Sequence, residues 1–520
     1  MTLSLQADDP SEVTRGSVLA IPAALSVAIA AFALFTRQPM LQRTFVGAGV
    51  LLLAWCAVVW REARANHRTL TIAFAPHRHH WVQACAQSTL ILYWAANTPL
   101  VAALLPLIVV QIAFAYAFNS LQNWSRRDVY PLGFAPLPVV LSINLFLQFR
   151  PEWFYWQFGL IALGFTAKEF IHWQRDGRSA HIFNPSSFPL AVVSVVLLAG
   201  HATHLTFGNE FANTIFDTPH IHLVIFLVAL PAQILFGVAP VTIAAALTLY
   251  GIGLAYLAAT GTYLFYDAYI PPAVFIGMTL LVTDPATSPR TELGRIIFGI
   301  LYAIGTAVLF VWLERAGAPT FYDKLLPIPI MNLMVRAIDR FARVPALGQS
   351  SFARWRAAFT QRRTNVVYTS AWILIFLPML AFRAVGDSHE GQYLPFWHNA
   401  CISGSSRACT YMATLTSVYC QRGSGWACND VAILRRRIGA PAVKEFRRAC
   451  ELGFSPGCEN ANKAETRVDS LGNAPPGLRD LPILLSGTKP TLHERDPAKL
   501  YALACQQGWP GACGVAGGTQ

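Results

Sequence analysis

Two short stretches of the chain carry polar groups in a spacing that could bind a ligand. They are HIFNPSSFPLAV, residues 181–192, and LVTDPATSPRTE, residues 281–292. In each, an amide or carboxylate residue precedes a proline, small or hydroxyl residues follow, and a second proline stands four positions after the first. Such groups at the edge of an apolar segment can hold a polar ligand, or they can cap a helix at the membrane surface. The pattern leaves both interpretations open.

The elements that would position these stretches are strongly apolar. Hydrophobic residues make up 54% of the 520 residues and charged residues 13%, which is typical of a polytopic membrane protein. The first apolar segment lacks the basic start and cleavage site of a signal peptide, so we expect it to remain as a span. Segments that approach the length needed to cross a bilayer core of about 30 Å are 17–35, 44–60, 81–95, 99–119, 134–149, 154–171, 186–200, 222–237, 240–260, 270–283, 296–313 and 365–385.

Basic residues concentrate in a few connections between these segments. Residues 314–364 hold nine Lys or Arg against three Asp or Glu, four arginines lie between positions 61 and 78, and Arg126 and Arg127 mark a third connection. Positive charge beside apolar spans indicates cytoplasmic loops rather than nucleic-acid binding. No nucleic-acid partner is expected.

Eight of the ten cysteines form four pairs, each with seven residues between its members. A glycine follows each first cysteine by three positions, and Ala or Gly precedes each second one. A helix, a Cys-x-x-Gly turn and a second helix opening at Ala-Cys would bring the two sulfurs together. Zinc, the alternative, favours shorter spacing and histidine ligands. The predicted disulfides, which imply an oxidising compartment, join Cys401 to Cys409, Cys420 to Cys428, Cys450 to Cys458 and Cys505 to Cys513.

An extracytoplasmic tail constrains the topology. It places residues 314–364 inside the cell and the TDPATSP end of the second motif outside, while a cytoplasmic N-terminus places HIFNP inside. An odd number of crossings must then separate the two motifs, so either 186–200 or 270–283 is predicted to be a half-span. Irregular backbone at membrane depth is tolerated where it lines a site. The two motifs are therefore predicted to be matching halves of one intramembrane site.

The motifs also resemble known families. FNPSSFPLAV with TDPATSPRTELGRIIFGILYAIGTAVL resembles the paired motifs of two integral flavin subunits, the D subunit of the Rnf complex and the B subunit of the sodium-pumping NADH:quinone oxidoreductase. Longer stretches within residues 70–345 resemble the enediyne biosynthesis protein UnbU and its relatives. In the tail, RRACELGFSPGCENANKA and YALACQQGWPGACGVAGG resemble cysteine-rich Sel-like repeats, relatives of the tetratricopeptide repeat that serve protein contacts.

The first resemblance implies a ten-helix inverted-repeat core that holds a flavin, FMN or riboflavin, and passes electrons across the membrane. The covalent attachment motif of that family is missing, with Thr218 and Thr291 the nearest candidates. No metal site is predicted. The expected cofactor-binding residues supply hydroxyl and amide groups for the flavin ring, and positive charge for a phosphate from Arg290 and Arg295; the full set is Asn184, Ser186, Ser187, Thr283, Asp284, Thr287, Ser288, Arg290 and Thr218.

Other polar groups near the spans have ordinary alternatives. His77, His79 and His80 cluster before one apolar segment and could bind haem or a metal, although an interfacial position explains them as well. Lys168 and Glu169 end another segment, where a functional charge or a simple interfacial pair would fit.

The sequence thus predicts an all-α polytopic membrane protein with about eleven crossings, an inverted repeat with broken helices and a small disulfide-rich helical-repeat domain. The expected location is a bacterial inner membrane, with the N-terminus cytoplasmic and the C-terminal domain periplasmic. Membrane electron transfer is the expected function, in contact with a protein partner at the tail and with a flavinylated redox protein or a quinone; a small-solute permease and a non-catalytic scaffold are the alternatives. The predicted parts are a transmembrane hairpin at 1–69, the core at 70–313, a basic loop at 314–364, a last span at 365–385 and the tail at 386–520.

Overall fold

The predicted apolar segments all form helices. The computed structural model describes residues 18–175, 177–343, 360–392, 394–437, 439–466, 493–506 and 512–514. The chain divides into two units: residues 1–251 with 270–382, here called the membrane unit, and residues 252–269 with 383–520, here called the tail unit. The sequence had placed all of 70–313 in the core, whereas residues 252–269 group with the tail.

Most helices up to the end of the membrane unit follow the predicted segments closely, while α8 and α13 match none of them. The first runs on as a 3-10 turn to Phe35, and α11 runs on as a π turn, Gly277–Leu281. The bounds are α1 Ala20–Ala31, α2 Pro39–Ala65, α3 Arg78–Asn97, α4 Pro99–Trp124, α5 Pro136–Phe146, α6 Tyr155–Phe170, α7 Ser187–Ala199, α8 Gly208–Phe216, α9 Ile221–Phe236, α10 Ala239–Thr260, α11 Pro272–Ile276, α12 Glu292–Arg315, α13 Pro327–Ala342 and α14 Gln361–Ala381.

Five helices of the described chain, α2, α4, α10, α12 and α14, are long and apolar enough to cross a membrane. The bent pair α8 and α9, which turn by 98° at their break, would make a sixth. Several other apolar helices are short: α7 has 13 residues, which at 1.5 Å per residue is about 20 Å. A membrane protein is supported, but the predicted eleven crossings are not confirmed.

One end of the membrane unit gathers the basic connections. Strand β1, Thr71–Phe74, pairs in parallel with β2, Val129–Leu132, and β3, His172–Arg175, pairs antiparallel with β4, Arg178–His181. Ion pairs join these connections, from Arg68 to Asp128 at 2.7 Å and from Arg127 to Glu169 at 2.6 Å. We call this the basic end.

Helix α13 reverses the chain within residues 314–364, where the sequence predicted a single loop. It runs antiparallel to α12, because Asp339 near its end accepts a hydrogen bond from the Thr291 hydroxyl just before α12 begins, at 2.9 Å. Charged residues interrupt its apolar pattern, which is why the sequence did not reveal it. The chain therefore returns to the basic end through α13. That 186–200 or 270–283 is a half-span stays a prediction, since α7 and α11 with its π turn are both short apolar helices.

The placement of the two motifs on opposite sides does not hold either. Asn184 of the first motif contacts Asp284 of the second, so both lie at the basic end. Five helices, α7 to α11, lie between the two motifs, and the chain returns to the end it left.

The tail unit is a set of short helices joined by the predicted disulfides. Its helices are α15 Leu394–Ile402, α16 Ser406–Gln421, α17 Gly425–Arg437, α18 Val443–Glu451, α19 Ser455–Glu465 and α20 Pro497–Gln506. All four predicted cysteine pairs are bonded. The turn glycines Gly404, Gly423 and Gly453 have φ values of 100°, 94° and 82°, as the helix C-cap geometry requires. The fourth, Gly508, lies outside the described residues.

Aromatic residues form the cores that the disulfides surround. Trp426 and Phe454 are buried in one cluster with Leu500. Segment 252–269 contributes to another, in which Tyr263 packs with Trp397. Arg407 fixes that segment by donating to the carbonyl oxygens of Tyr263 and Leu264. The tail unit therefore has a hydrophobic core as well as covalent links.

Candidate functional site at the junction of the two motifs

The loops of the two motifs meet directly. Asn184 Nδ2 donates to Asp284 Oδ2 at 3.3 Å and to the Leu281 carbonyl oxygen at 3.4 Å. Helices α7 and α12 begin just after the two loops, and the π turn that follows α11 ends at Leu281. Three helix termini and the β3–β4 hairpin that leads into the first loop therefore converge here. We call this contact the junction.

The first loop is closed by its own asparagine. Asn184 Oδ1 accepts hydrogen bonds from the Ser186 backbone N–H at 2.9 Å, the Ser186 hydroxyl at 2.7 Å and the Ser187 N–H at 3.1 Å. These bonds satisfy the free amides at the start of α7. Gly164 of α6 lies against this loop, where a β-carbon would stand 2.2 Å from the Pro185 carbonyl oxygen. Only glycine allows that approach.

The second loop is closed in the same way by its aspartate. Asp284 Oδ1 accepts from the Ala286 N–H at 3.2 Å, and Oδ2 accepts from the Thr287 hydroxyl at 2.9 Å. Thr291 then caps α12, its hydroxyl oxygen accepting from the Gly294 N–H at 3.1 Å. The two motifs thus share a local geometry as well as a sequence pattern.

Helix α13 holds both loops through Asn332, a residue that the sequence did not single out. Its Oδ1 accepts from the Asn184 N–H at 3.3 Å, and its Nδ2 donates to the Thr287 carbonyl oxygen at 3.2 Å. The side chain is 1% exposed. Asn332 and Asp339 stand seven residues apart and so share one face of the helix, which is the signal that could have identified them.

Asp339 forms a second clamp one heptad further along α13. It accepts from the backbone N–H groups of Arg290 and Thr291 and from Arg175 Nη2 at 2.9 Å. Arg175 also donates to the Ser288 carbonyl oxygen at 3.0 Å. Burial alone would raise the pKa of Asp339, but the hydrogen bonds from Thr291, Arg290 and Arg175 outweigh it and hold that pKa below its usual value. The Asp339 carboxylate is therefore charged, and its hydrogen bonds hold the second loop and Arg175 in place.

Most of the predicted flavin-binding side chains are likewise engaged. Asn184, Ser186, Ser187, Asp284 and Thr287 bond within the junction, and the Thr283 hydroxyl donates to the Thr279 carbonyl oxygen at 2.6 Å. Arg295 donates to the carbonyl oxygens of Pro289 and Gly237. Arg290 is exposed. Ser288 differs from the other predicted hydroxyls, because its buried Oγ has no hydrogen-bond partner within the described residues.

Thr218, the predicted attachment candidate, lies elsewhere. Its hydroxyl donates to the Thr214 carbonyl oxygen at 3.0 Å, in the break between α8 and α9. Gly237, at the far end of α9, contacts Arg295 near the second motif. The 16 residues of α9 make that separation about 24 Å. Thr218 therefore does not belong to the junction.

Histidines at the start of α3 approach the junction. The rings of His79 and His80 lie 3.9 Å apart, and His77 stands 5.7 Å from each. Asp284 acts electrostatically on His79 and on His181 of strand β4, and Lys168 acts on both as well. For His77, His79 and His80, and for Lys168, the sequence pattern also allows a simple interfacial position. One sequence signal could have associated these histidines and Lys168 with the motifs: all of them lie in connections predicted to be cytoplasmic, as does the first motif.

Burial keeps these imidazoles neutral. It lowers the pKa of His79 and of His181, in both cases against the opposing charge of Asp284. Burial, with the charges of His79 and Lys168, lowers the pKa of His80 to about 3. The buried His80 Nδ1 has no hydrogen-bond partner in the described part of the chain. Neutral imidazole can both donate and accept a hydrogen bond, so this cluster offers unused bonding capacity next to Asp284.

A metal centre is not assembled from these groups. Among the residues that the structure describes, no three His, Cys, Asp or Glu side chains are arranged to hold a metal ion. Comparison of the chain with protein-family models, curated proteins and solved structures finds no match. The function must therefore be argued from the junction itself.

Proposed function

We propose that this chain is a membrane redox protein that binds FMN or riboflavin non-covalently beside the junction. The carrying observation is the direct contact of the two motif loops, with a histidine cluster and Lys168 in electrostatic range of the same carboxylate, Asp284. Ionisable groups that are partly buried and close enough to perturb one another commonly mark functional sites.

Different groups at the junction suit the phosphate and the ring of a flavin. Helices α7 and α12 begin near the junction, and the positive dipole end of α7 would favour a phosphate there, whereas the Asp339 carboxylate already accepts from the backbone N–H groups at the start of α12. Arg290 adds an exposed cation beside them. Most side chains predicted to bind the edge of the flavin ring form hydrogen bonds within the loops. Ser288 Oγ and His80 Nδ1 have no such partner in the described residues, so we propose that they bind the ring edge.

A bound flavin would supply the electron-transfer chemistry, and the residues of the chain would manage the protons. His79 and His181 can accept and pass on a proton at a ring nitrogen, because Asp284 favours their protonated forms, whereas His80 stays neutral and can only hydrogen-bond. Attachment at Thr218 is disfavoured because it would place the flavin at the opposite end of α9. The basic end is proposed to face the cytoplasm of a bacterium.

The four disulfides support a periplasmic tail unit, since such bonds persist in oxidising compartments. We propose that this unit docks a protein partner, as helical repeats do, and that a flavinylated redox protein or a quinone exchanges electrons with the membrane unit. A scaffold without redox activity would lose all function when residues 386–520 are deleted and would be indifferent to substitution of Asp284.

The test is the visible spectrum of the detergent-purified protein, followed by acid precipitation. A flavin spectrum that passes into the supernatant is expected, and S288A or D284N should lower the flavin content. T218A is the matched control and should retain it. Colour in the pellet that T218A abolishes would place the flavin at the other end of α9. A colourless protein purified in mild detergent would reject the redox proposal.

A small-solute permease is the second candidate, and one observation favours it. The membrane unit contains a 98° break between α8 and α9 and a π turn immediately before the second motif. Broken helices of this kind bind substrates and ions in secondary transporters. Uptake of a labelled solute by proteoliposomes that contain no flavin would support this candidate instead.

A further inference from the structure

An apolar groove opens on the membrane unit between α2, α4 and α6, and its lining includes none of the junction residues. Its volume is about 450 Å³, within the range of small-molecule sites. Leu51 and Trp55 of α2 line one side, and Phe114, Phe118 and Phe158 line the other. Since α2 and α4 are both long and apolar enough to cross a membrane, the groove opens towards lipid.

Glycines keep this groove open, and its aromatic walls are held by ring stacking and by one hydrogen bond. A β-carbon at Gly47 would meet no atom within 4 Å, and one at Gly159 would meet only the Trp156 ring at 3.7 Å. Phe114 stacks on Phe158 with ring centres 4.4 Å apart. Trp55 is held by a hydrogen bond from Nε1 to Ser125 Oγ at 3.0 Å. The walls therefore cannot easily collapse into the space.

The rim of the groove carries a cation. Arg43, on the second turn of α2, lines the groove beside Tyr155 and is exposed, with no ion pair or hydrogen bond to the described residues. Tyr155 stands with Trp153 and Trp156 in a partly exposed aromatic group. Aromatic residues of this kind mark the headgroup level of a bilayer. Arg43 is thus placed where a lipid headgroup lies.

We propose that the groove binds one acyl chain of an anionic phospholipid whose phosphate pairs with Arg43. The 12 residues from Arg43 to Trp55 extend about 18 Å along α2, more than half the depth of a hydrocarbon core of about 30 Å. Planar rings and glycines provide a smooth channel for a hydrocarbon chain. Arg43, the charged residue among those that line the groove, selects an anionic lipid over a zwitterionic one.

The experiment uses the full chain in nanodiscs doped with phosphatidylglycerol that bears a diazirine on one acyl chain, or with the matching phosphatidylcholine. Crosslinked peptides are mapped by mass spectrometry and compared with labelling of the exposed surface of α10. We expect stronger labelling of α2 and α6 by phosphatidylglycerol. R43Q should reduce that preference by about fivefold, the effect of one basic residue at an anionic surface, while R37Q, an exposed neighbour outside the groove, should not.

Filling the groove provides the steric arm of the test. G47L should reduce groove labelling by both lipids to the level seen on α10. G251L is the matched control, because Gly251 is also an exposed helical glycine with nothing within 4 Å of its β-carbon. Melting temperatures of the variants confirm that they fold. Equal labelling by the two lipids, or groove labelling that G47L leaves unchanged, would overturn the proposal, as would protection of the groove by a second protein chain.

Discussion

The junction and the tail unit solve one problem, the joining of successive helices, by different means. At the junction, side-chain amides and carboxylates from three distant parts of the chain bond to loop backbone and to one another. In the tail unit, four disulfides between residues eight apart join helices to the segments that follow them. The first arrangement fails when one partner is removed, because buried polar groups lose their bonds. The second depends on the redox state of its surroundings.

Removing Asp339 should have the largest effect on this comparison. D339A leaves Arg175, whose side chain is 6% exposed, without its carboxylate, and breaking a buried pair costs about 3–5 kcal/mol. We expect a large drop in the melting temperature of the membrane unit. D128A is the control, since the Asp128 side chain is 56% exposed and a surface pair contributes at most about 1 kcal/mol. Equal losses would show that the Arg175–Asp339 clamp is not needed.

Removing one disulfide should have an intermediate effect, confined to the tail unit. C450S combined with C458S should destabilise that unit by about 2.5 kcal/mol on the chain-entropy description, as measured by hydrogen exchange. Dithiothreitol, which reduces the disulfides, should also destabilise the tail unit. It should leave the membrane unit unaffected, because Cys56 and Cys85 are free thiols. Destabilisation of both units by the reductant would contradict the conclusion that the disulfides stabilise the tail unit alone.

Equivalent helix caps offer a smaller and sharper comparison. Ser405 caps α16 by accepting from the Ala408 N–H at 3.3 Å, and Thr291 caps α12 in the same way. S405A should cost about 1 kcal/mol, as cap removal usually does. T291A should cost more, because the Thr291 hydroxyl also donates to Asp339. Chemical denaturation followed by unit-specific hydrogen exchange measures both, and a smaller loss for T291A would argue against cooperation at the junction.

A pH dependence should also separate the two units. The pKa of His80 is about 3 in the fold against an ordinary value of 6.5, so below pH 6.5 the unfolded chain binds a proton that the folded chain does not. Stability of the membrane unit should therefore fall as the pH is lowered from about 6.5 towards 5. Melting temperatures across that range measure it, and H80Q should flatten the profile. An unchanged slope in H80Q would assign the effect to other groups.

Those parts of the fold that depend on nearby residues could be predicted from the sequence. Apolar length identified the helices, and the spacing of cysteine and glycine identified the disulfides. The number of crossings could not be derived, since helices such as α5 and α7 are apolar but too short to span a membrane alone. Helix α13 was missed because charged residues interrupt its apolar pattern.

The candidate site was predicted in part. The matching motifs indicated that their loops belong together, and Asn184 does contact Asp284. The sequence predicts that their hydroxyl groups bind a ligand. In the fold, most of them bond within the loops instead, and those partners cannot be identified from the sequence. Asn332 stands 148 positions from Asn184, and no local pattern connects the two. Long-range polar pairing of this kind determines the junction.

The spacing of the disulfides has a consequence for how the tail is made. Eight cysteines can pair in 105 ways, yet each partner here lies eight positions away. If the tail is exported from its N-terminal side, each correct pair reaches the oxidising side before the next cysteines emerge. Short loops also close fastest. Vectorial export would then select the native connectivity in chain order, and reshuffling by an isomerase would be unnecessary.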